Sequence, residues 1–233
     1  MFEDFTRVSV EDSFHTLLIL IHTKPIHGRG LLLLNASETE SRIKYLDGFV
    51  GLSFFVNHSH DTIVEFVQWQ TAVHLEAAFR RPQFNEHLPV VESLATAEVG
   101  FYAVERVITA KDDRMDMGPA FAGMADFQVF TVPTDHIDAL IDRMVHWAET
   151  AKASAKSIQA VVVLADRAHG KAAFFIHHDP APSDSIWYAD PEAIEIDRAS
   201  QMTRYTSVSA PGSAGTSMRY VMSSSSPANA HHP

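Results

Sequence analysis

The predicted secondary structure repeats once along the chain, and this repetition constrains the fold more than any other feature. Hydrophobic periodicity predicts the order strand, helix, strand, strand, helix, strand before residue 110, and most of that order again after residue 124. Equivalent positions are 109 residues apart, as in the pairs Gly48 and Ser157, Trp69 and His178, and Pro82 and Pro191. A repeat of that length indicates two copies of one domain and not a short-period solenoid.

Two α+β units with antiparallel sheets, packed face to face, are therefore the predicted architecture. We assign the first unit to residues 13–110 and the second to residues 124–222. The intervening segment, Lys111–Gly123, is charged and then contains Gly and Pro, which is typical of a linker. A chain of 233 residues is long enough for two units of roughly 110 residues each.

The carboxy-terminal part of the second unit is expected to be irregular. Three prolines lie between residues 179 and 202, which leaves room for only a short helix near residues 191–201. Arg204–Val208 and Met218–Met222 are predicted to form a final broken strand or hairpin. Residues 223–233 are rich in Ser, Pro, Ala and His, and this composition predicts a disordered tail.

The overall composition excludes several classes of function. Lys and Arg number 18 against 29 Asp and Glu, so the formal charge is −11, which argues against nucleic acid or an anionic membrane as the partner. The absence of cysteine excludes disulfides, thiolate metal sites and thiol nucleophiles. The amino-terminal stretch lacks the order of a signal peptide, and no apolar run is long enough to span a bilayer. We therefore expect a soluble, cytoplasmic protein.

The strand predicted at Thr62–Trp69 has two chemically different faces. Alternation places Ile63, Glu65, Val67 and Trp69 on one face, and Val64, Phe66 and Gln68 on the other. On an inward face, desolvation would raise the pKa of Glu65, as a general base or acid requires. On an outward face Glu65 would be a solvated strand charge, and the sequence leaves this choice open.

Trp69 ends this strand, and His74 lies on the helix predicted at Thr71–Phe79. Large aromatic side chains at such positions are more often core than catalytic. His74 lies at the edge of the apolar helix stripe, so a surface position explains it as well as a pocket does. Both stay candidates, because together with Glu65 they could line one pocket.

Histidines in the turn Asn57–Asp61 raise a metal hypothesis. His58 and His60 could bind zinc or iron together with a carboxylate from Asp61 or Glu65. Exposed turn histidines are the simpler interpretation, and the spacing matches no HExxH or cysteine pattern. No metal is therefore assigned. The chain also lacks GxGxxG, P-loop and GxSxG motifs, which leaves nucleotide-fold and serine-hydrolase functions without support.

The run from Gly48 to Phe79, followed by the later strand GFYAVERVI, resembles the antibiotic biosynthesis monooxygenase family. The resemblance covers about residues 14–109 and rests on Lys24-Pro25, Gly48-Phe49, Asp61 and Gln68-Trp69. It extends to residues 126–222 only through the repeat. The family implies dimeric α+β barrels of ferredoxin-like subunits, so a tandem chain would supply both halves as a pseudo-dimer. Whether two such chains form a homodimer stays open.

The resemblance implies oxygenation of an aromatic polyketide, in some members without a cofactor. An anthrone or hydroquinone is deprotonated, and its electron-rich anion reduces O₂ directly. The cofactor-free anthrone type has an asparagine where this chain has Glu65 and a tyrosine where it has Leu75. Some members have a further asparagine on the first strand, a region that holds Leu18 and Ile19 in this chain. The haem-degrading branch needs a histidine where this chain has Phe79. The tandem length is more similar to the ring-opening oxygenases of angucycline pathways, which are thought to use reduced flavin or a quinol substrate.

The leading hypothesis is an oxygenase whose pocket lies between the sheet and the helices of the first unit. The co-substrate is O₂, with either no tightly bound cofactor or reduced flavin (FADH₂ or FMNH₂) supplied by a flavin reductase. Trp69 is assigned as an aromatic wall, Glu65 as a base or anchor, and His74 or His58 as a proton-transfer partner. The side chains assigned to substrate contact are Phe55, Leu75 and Phe79. The alternative is a non-catalytic barrel that binds an aromatic intermediate or a partner enzyme.

Overall fold

The computed structural model describes residues 7–109, 114–117, 123–179 and 188–211. The helices are α1 (Pro25–Ser41), α2 (Ala72–Phe79), α3 (Pro82–Asn85), α4 (Leu88–Leu94) and α5 (Ile137–Ser154). The strands are β1 (Arg7–Ser9), β2 (His15–Thr23), β3 (Phe49–Val56), β4 (Thr62–Trp69), β5 (Ala95–Thr109), β6 (Arg114–Asp116), β7 (Met124–Thr131), β8 (Ile158–Asp166), β9 (Lys171–His178) and β10 (Glu195–Ser209).

Eight strands form one closed barrel in the order β10-β3-β4-β2-β5-β8-β9-β7. Each half of the chain contributes four of them, in equivalent positions. The halves meet at two antiparallel seams, where β5 pairs with β8 and β10 pairs with β3. The predicted fold class is confirmed: tandem ferredoxin-like repeats form a pseudo-dimeric α+β barrel. The domain boundaries near residues 110 and 124 stay a prediction.

Alternation along the strands divides the core into the barrel interior and two outer layers. Side chains of both halves meet in the interior, where Phe55, Phe127 and Phe175 pack with ring centroids 4.8–5.5 Å apart. Helices α1, α2, α3 and α4 cover the outer face of the first half, and α5 covers that of the second. The outer face of β4, which carries Glu65 and Trp69, is therefore buried under helices.

The helix expected near residues 191–201 is wrong, because β10 crosses this segment as a strand. It pairs with β7 over its first part and with β3 over its second part. Its register shifts between Ala199 and Met202, and Gln201 has a positive φ of 52°. This irregularity interrupts the two-residue alternation that identifies a strand from sequence. The expected Met218–Met222 strand and the tail at 223–233 lie outside the described residues.

Part of the predicted linker is structured. Arg114–Asp116 pairs with Arg7–Ser9 as a two-stranded antiparallel ribbon. Val8 and Met115 of this ribbon are buried in the core cluster of the barrel interior. The segment thus connects the two halves and also packs against their shared core. In the described ranges, no helix is both long enough and apolar enough to cross a lipid bilayer.

Candidate functional site

A cavity of about 320 Å³ lies between the outer face of the first-half sheet and the helices that cover it. Most of its walls are apolar, with side chains from β2, β4, β5 and the helices. Its polar lining residues are Asn35, Thr39, Glu65, His87 and Glu92. Small-molecule sites typically enclose about 300–1,000 Å³ and combine apolar walls with a few polar groups. This cavity lies at the lower end of that range, which favours a compact ligand.

Helix α1 supplies two of the polar groups. Pro25 occupies its first turn, where a missing N–H costs nothing. Gly28 lies directly against the backbone of the β3–β4 turn, where a Cβ would come within 1.5 Å of the His60 carbonyl oxygen. This close approach seats α1 on the sheet. Its buried face then carries Asn35 and Thr39 into the cavity wall.

Glu65 and Asn35 form a buried pair at the cavity. The Nδ2 group of Asn35 donates a hydrogen bond to Oε1 of Glu65 at 2.6 Å, and the two residues are 5% and 7% exposed. Burial raises the pKa of Glu65 to about 7, because desolvation penalises the charged form more than the Asn35 hydrogen bond favours it. Glu65 can therefore both accept and release a proton near neutral pH.

His87 is the N-cap residue of α4 and Glu92 lies within this helix, on the side of the cavity that the helices form. Burial is the main cause that lowers the pKa of His87, so its ring is neutral at neutral pH. The Nδ1 atom of His87 is buried and has no hydrogen-bond partner in the part of the chain that the structure describes. Glu92 is exposed and adds a second carboxylate to the lining.

Aromatic rings close the cavity on one side. Phe79 and Phe84 both line it, and their rings meet edge to face with centroids 4.8 Å apart. Trp69 is fully buried behind them, 6.4 Å from Phe84 and 5.5 Å from Phe49. Trp69 therefore supports the aromatic wall and is one ring removed from the cavity itself. Leu75 is also buried in this core cluster and is absent from the lining.

The structure does not bring His74 to this cavity. Its ring packs over Gly48, where a Cβ would lie 2.2 Å from Cγ of the histidine. Its Nδ1 lies 3.0 Å from Oγ1 of Thr71, the residue that caps α2. His74 instead lines a separate, polar depression together with Tyr45 and Arg81. A role for His74 as the proton-transfer partner of Glu65 is thus not supported by its position.

His58 and Phe55 are also placed elsewhere. His58 is exposed on the β3–β4 turn. Phe55 points into the barrel interior and packs against rings of the second half, because it lies one residue out of phase with the outer face of β3. The assignment of Phe55 to substrate contact therefore conflicts with its position. Of the predicted site residues, Glu65 and Phe79 line the cavity.

The turn does not assemble a metal site. The Asn57 side chain accepts hydrogen bonds from the backbone N–H groups of Asp61 and Thr62, both at 3.2 Å, and donates one to the Asp61 carboxylate. These hydrogen bonds commit Asp61 to holding the turn. Within the described ranges, no three or more His, Asp or Glu side chains are grouped so that they could bind a metal ion.

The second half has no counterpart of the polar pair. At the repeat distance of 109 residues, Phe174 replaces Glu65 and Met144 replaces Asn35, and both replacements are completely buried. Phe174 packs with Trp147 at 5.0 Å, with Tyr188 at 5.8 Å and with Phe130 at 6.0 Å between ring centroids. Aromatic side chains thus occupy the region that corresponds to the polar part of the first-half cavity.

His178, the counterpart of Trp69, makes a polar contact in place of an aromatic one. Its Nε2 lies 3.3 Å from Oδ2 of Asp126, which is almost completely buried. This interaction with Asp126 raises the pKa of His178, and the partial burial of the ring only partly opposes it. The contact ties β9 to β7 at the end of the second half.

Sequence reasoning missed Asn35, His87 and Glu92. Asn35 follows Leu31 and Leu32 by one helical turn and precedes Thr39 by another, so its place on the buried α1 stripe could have been noticed. His87 and Glu92 belong to a short helical segment with no clear periodicity. Their approach to Glu65 depends on tertiary packing.

Solved structures with the same fold share little sequence with this chain. A crystal structure of an anthrone oxidase-like protein superposes with a TM-score of 0.74, at 18% identity over 91% of this chain and 99% of that one. The two proteins therefore share one fold, a closed eight-stranded α+β barrel. A candidate monooxygenase from Fusobacterium nucleatum gives 0.56 at 11% identity, over 89% of this chain and 98% of that one. Another from Lactobacillus acidophilus gives 0.51 at 10%, over 84% and 96%.

The shared α+β barrel therefore extends over nearly the whole length of the compared proteins. No protein-family profile matches the chain, and no curated protein sequence matches it. The resemblance predicted from the sequence is confirmed at the level of the fold. Neighbours of this fold are described as anthrone oxidase-like and as candidate monooxygenases.

Proposed function

We propose that the protein is an oxygenase that oxidises a compact aromatic polyketide, of the anthrone or hydroquinone type, in the cavity beside Glu65. The observation that carries this proposal is a buried carboxyl group with a pKa raised to about 7 in the wall of a mostly apolar cavity. Perturbed titratable groups in such cavities are typical of proton-transfer sites. The monooxygenase-like fold supports the same class of reaction.

Glu65 would act as the general base and then as the general acid. As a carboxylate it removes a proton from the activated carbon of an anthrone, which leaves an electron-rich anion. The anion transfers an electron to O₂, and the resulting radicals combine to a peroxide, which takes the proton back from Glu65. Loss of water, with a second hydrogen from the same carbon, leaves the ketone, so one O₂ yields one carbonyl oxygen and one water.

Asn35 would favour the base form during this cycle, since it donates to the ionised carboxylate. The aromatic wall of Phe79 and Phe84 would pack against the substrate rings and exclude water. A dry cavity keeps the pKa of Glu65 high and so makes it a stronger base than an exposed carboxylate.

The cavity does not fit a flavin well. Its lining, as far as the structure describes it, contains no Lys or Arg to pair with a flavin phosphate, and its volume is small for both a flavin and a polycyclic substrate. We therefore propose direct reduction of O₂ by the substrate anion, and we assign no step to reduced flavin. A flavin reductase and C–C ring opening belong to the less favoured form of the proposal.

The test is oxygen uptake with a panel of anthrones and polycyclic hydroquinones, with and without enzymatically reduced flavin. We expect uptake without flavin, and we expect Glu65→Gln to lower kcat by about 10²–10⁴-fold, because it removes the base and keeps the shape. Glu195→Gln, which changes an exposed carboxylate on β10, is the matched control and should leave uptake unchanged.

Uptake that persists undiminished in Glu65→Gln would refute the assignment of the base. Uptake that requires reduced flavin and yields a ring-opened product would replace the proposal by the flavin-dependent form. Tight binding without enzyme-dependent uptake would favour the non-catalytic alternative, a barrel that carries an aromatic intermediate. Replacement of the family's asparagine and tyrosine by Glu65 and Leu75 is the observation behind that alternative.

A further inference from the structure

We propose that the cavity selects uncharged phenolic ligands and rejects those that carry a carboxylate. This inference names the substrate class of the site and rests on the proposed function for the aromatic nature of the ligand. It depends on the charges of the lining residues, on the pairing of Arg42 and on two buried polar atoms that have no partner among the described residues.

The lining contains two carboxyl groups and no cationic Lys or Arg among the described residues. Glu65 lies in the wall and Glu92 on the exposed side of α4, while Asn35, Thr39 and His87 complete the polar lining. A ligand carboxylate would lose its hydration on entry, and no opposite charge of the lining would compensate for that loss. The net formal charge of −11 acts in the same direction at longer range.

Arg42 is the cation whose charge acts on His87, and it is already paired. Its Nε lies 3.4 Å from the Glu38 carboxylate, and its Nη1 donates to Glu86. Two carboxylates thus share one guanidinium outside the cavity. Recruitment of Arg42 by a ligand carboxylate would require one of these pairs to break.

Two residues of the same wall have buried polar atoms that can accept a hydrogen bond from an uncharged hydroxyl group. Oδ1 of Asn35 and Nδ1 of His87 are buried and have no hydrogen-bond partner among the described residues. Buried polar atoms without partners are uncommon in folded proteins, and each calls for an explanation such as a bound ligand or water. Both atoms are covered, so a phenolic hydroxyl donates to either of them once a small rotation of the Asn35 or His87 side chain brings the atom to the cavity surface, provided that the His87 tautomer leaves Nδ1 unprotonated. The wall is thus suited to hydroxyl groups and unsuited to carboxylates.

The experiment measures binding separately from turnover. A dihydroxyanthraquinone and the same compound bearing one carboxylate are already fully oxidised, so neither can react with O₂ as an anthrone does. Their dissociation constants for the full chain are compared by fluorescence quenching at about 0.1 M ionic strength, where the Debye length is about 10 Å. We expect the carboxylated compound to bind at least about tenfold more weakly.

A charge series at Glu92 tests the cause of the selectivity. Glu92→Gln should reduce the preference for the uncharged compound, and Glu92→Lys should reduce it further, by about tenfold relative to the wild type. Glu195→Lys makes the same change in net charge on β10, away from the cavity, and is the matched control. It should leave the ratio of the two dissociation constants within about twofold, because exposed charges beyond a Debye length are screened.

Equal or tighter binding of the carboxylated compound to the wild-type chain would overturn the inference. Equal shifts in Glu92→Lys and Glu195→Lys would also overturn it, since the selectivity would then reflect net charge and not the cavity. If only the proposed oxygenase function were wrong, the carboxylated compound would still bind more weakly, but anthrones would give no oxygen uptake. Conversely, uptake with no selectivity would leave the oxygenase proposal standing and refute the inference alone.

Discussion

The buried carboxyl group of Glu65 should make the protein less stable as the pH rises. The pKa of Glu65 is raised from its ordinary value of 4.5 to about 7 in the folded chain. Between these values the unfolded chain has released the proton and the folded chain still holds it. The free energy of unfolding therefore decreases as the pH rises through this window.

The magnitude follows from the size of the pKa change. Each pKa unit corresponds to about 1.4 kcal/mol, so the full effect of Glu65 is about 3 kcal/mol. About 2 kcal/mol of this stabilisation is lost between roughly pH 5 and pH 7, because the carboxyl group of the unfolded chain is already mostly ionised at pH 5. Below pH 4.5 both states are protonated, and the contribution is fully present.

The assay compares urea unfolding of the wild-type chain and Glu65→Gln across this pH range, followed by tryptophan fluorescence. Glutamine is nearly isosteric, can still accept from Asn35 and does not titrate. The difference in the free energy of unfolding between variant and wild type should therefore grow by about 2 kcal/mol in favour of the variant from pH 5 to pH 7. Glu195→Gln, at an exposed position, should show no such trend.

A difference that does not vary with pH would refute the reasoning, since it would place the pKa of Glu65 near its ordinary value. A difference that grows in the opposite direction would mean that the folded chain stabilises the carboxylate. Either result would also remove the physical basis for Glu65 as a base near neutral pH. In the expected case, oxygen uptake rises with pH over the same interval in which stability falls, because ionisation of Glu65 produces the base.

Two further predictions concern the partners of this site and its counterpart in the second half. Asn35→Leu removes the hydrogen bond that favours the Glu65 carboxylate, so the midpoint of the pH–activity profile should move upward by about one pH unit. The control Thr39→Val leaves that hydrogen bond intact and should not move the midpoint. An unchanged midpoint in Asn35→Leu would contradict the pairing. Phe174→Ala opens a cavity in the aromatic cluster of the second half and should lower the free energy of unfolding by about 3–5 kcal/mol in urea titrations. Anthraquinone binding under native conditions should change less than about threefold, and a larger loss would show that the second half shapes the first-half cavity.

The sequence predicted the fold well where local periodicity and the required pairing agree. Strand β4 alternates strictly, and the structure places its two faces in two different cores. The repeat distance of 109 residues relates β2 to β7 and β4 to β9. The prediction failed at β10, where a register shift interrupts the alternation and three prolines in the preceding residues favour irregular structure. Strand β10 is stabilised by its pairing with β3 and β7, which close the barrel, and these partners are distant in sequence.

The candidate site could be predicted only where one strand carries it. Glu65 stands out as a charge on an otherwise apolar strand face, and Phe79 follows from the helix stripe. Asn35 lies on α1 and His87 caps α4, so their approach to the cavity depends on how these two helices pack on the sheet. The position of Phe55 in the barrel interior could not be predicted from the sequence, because adjacent residues of a strand in a barrel face two different cores, and the phase of Phe55 relative to Glu65 depends on the pairing of β3 with β4.

Both halves are needed to form the barrel, but only the first half carries the candidate site. Both seams of the barrel join one half to the other, so neither sheet can be completed without its partner, and the interior core contains rings from both. The outer faces share much less, because each is covered mainly by helices of its own half, and the other half adds only Tyr205 and Ala210 to the first outer layer and Ile108 to the second. The second half can therefore fill its outer layer with Phe174 and Trp147 without disturbing the first. A fused pseudo-dimer of this kind can keep one polar cavity and use its other half for stability, which a symmetric dimer of identical subunits cannot do.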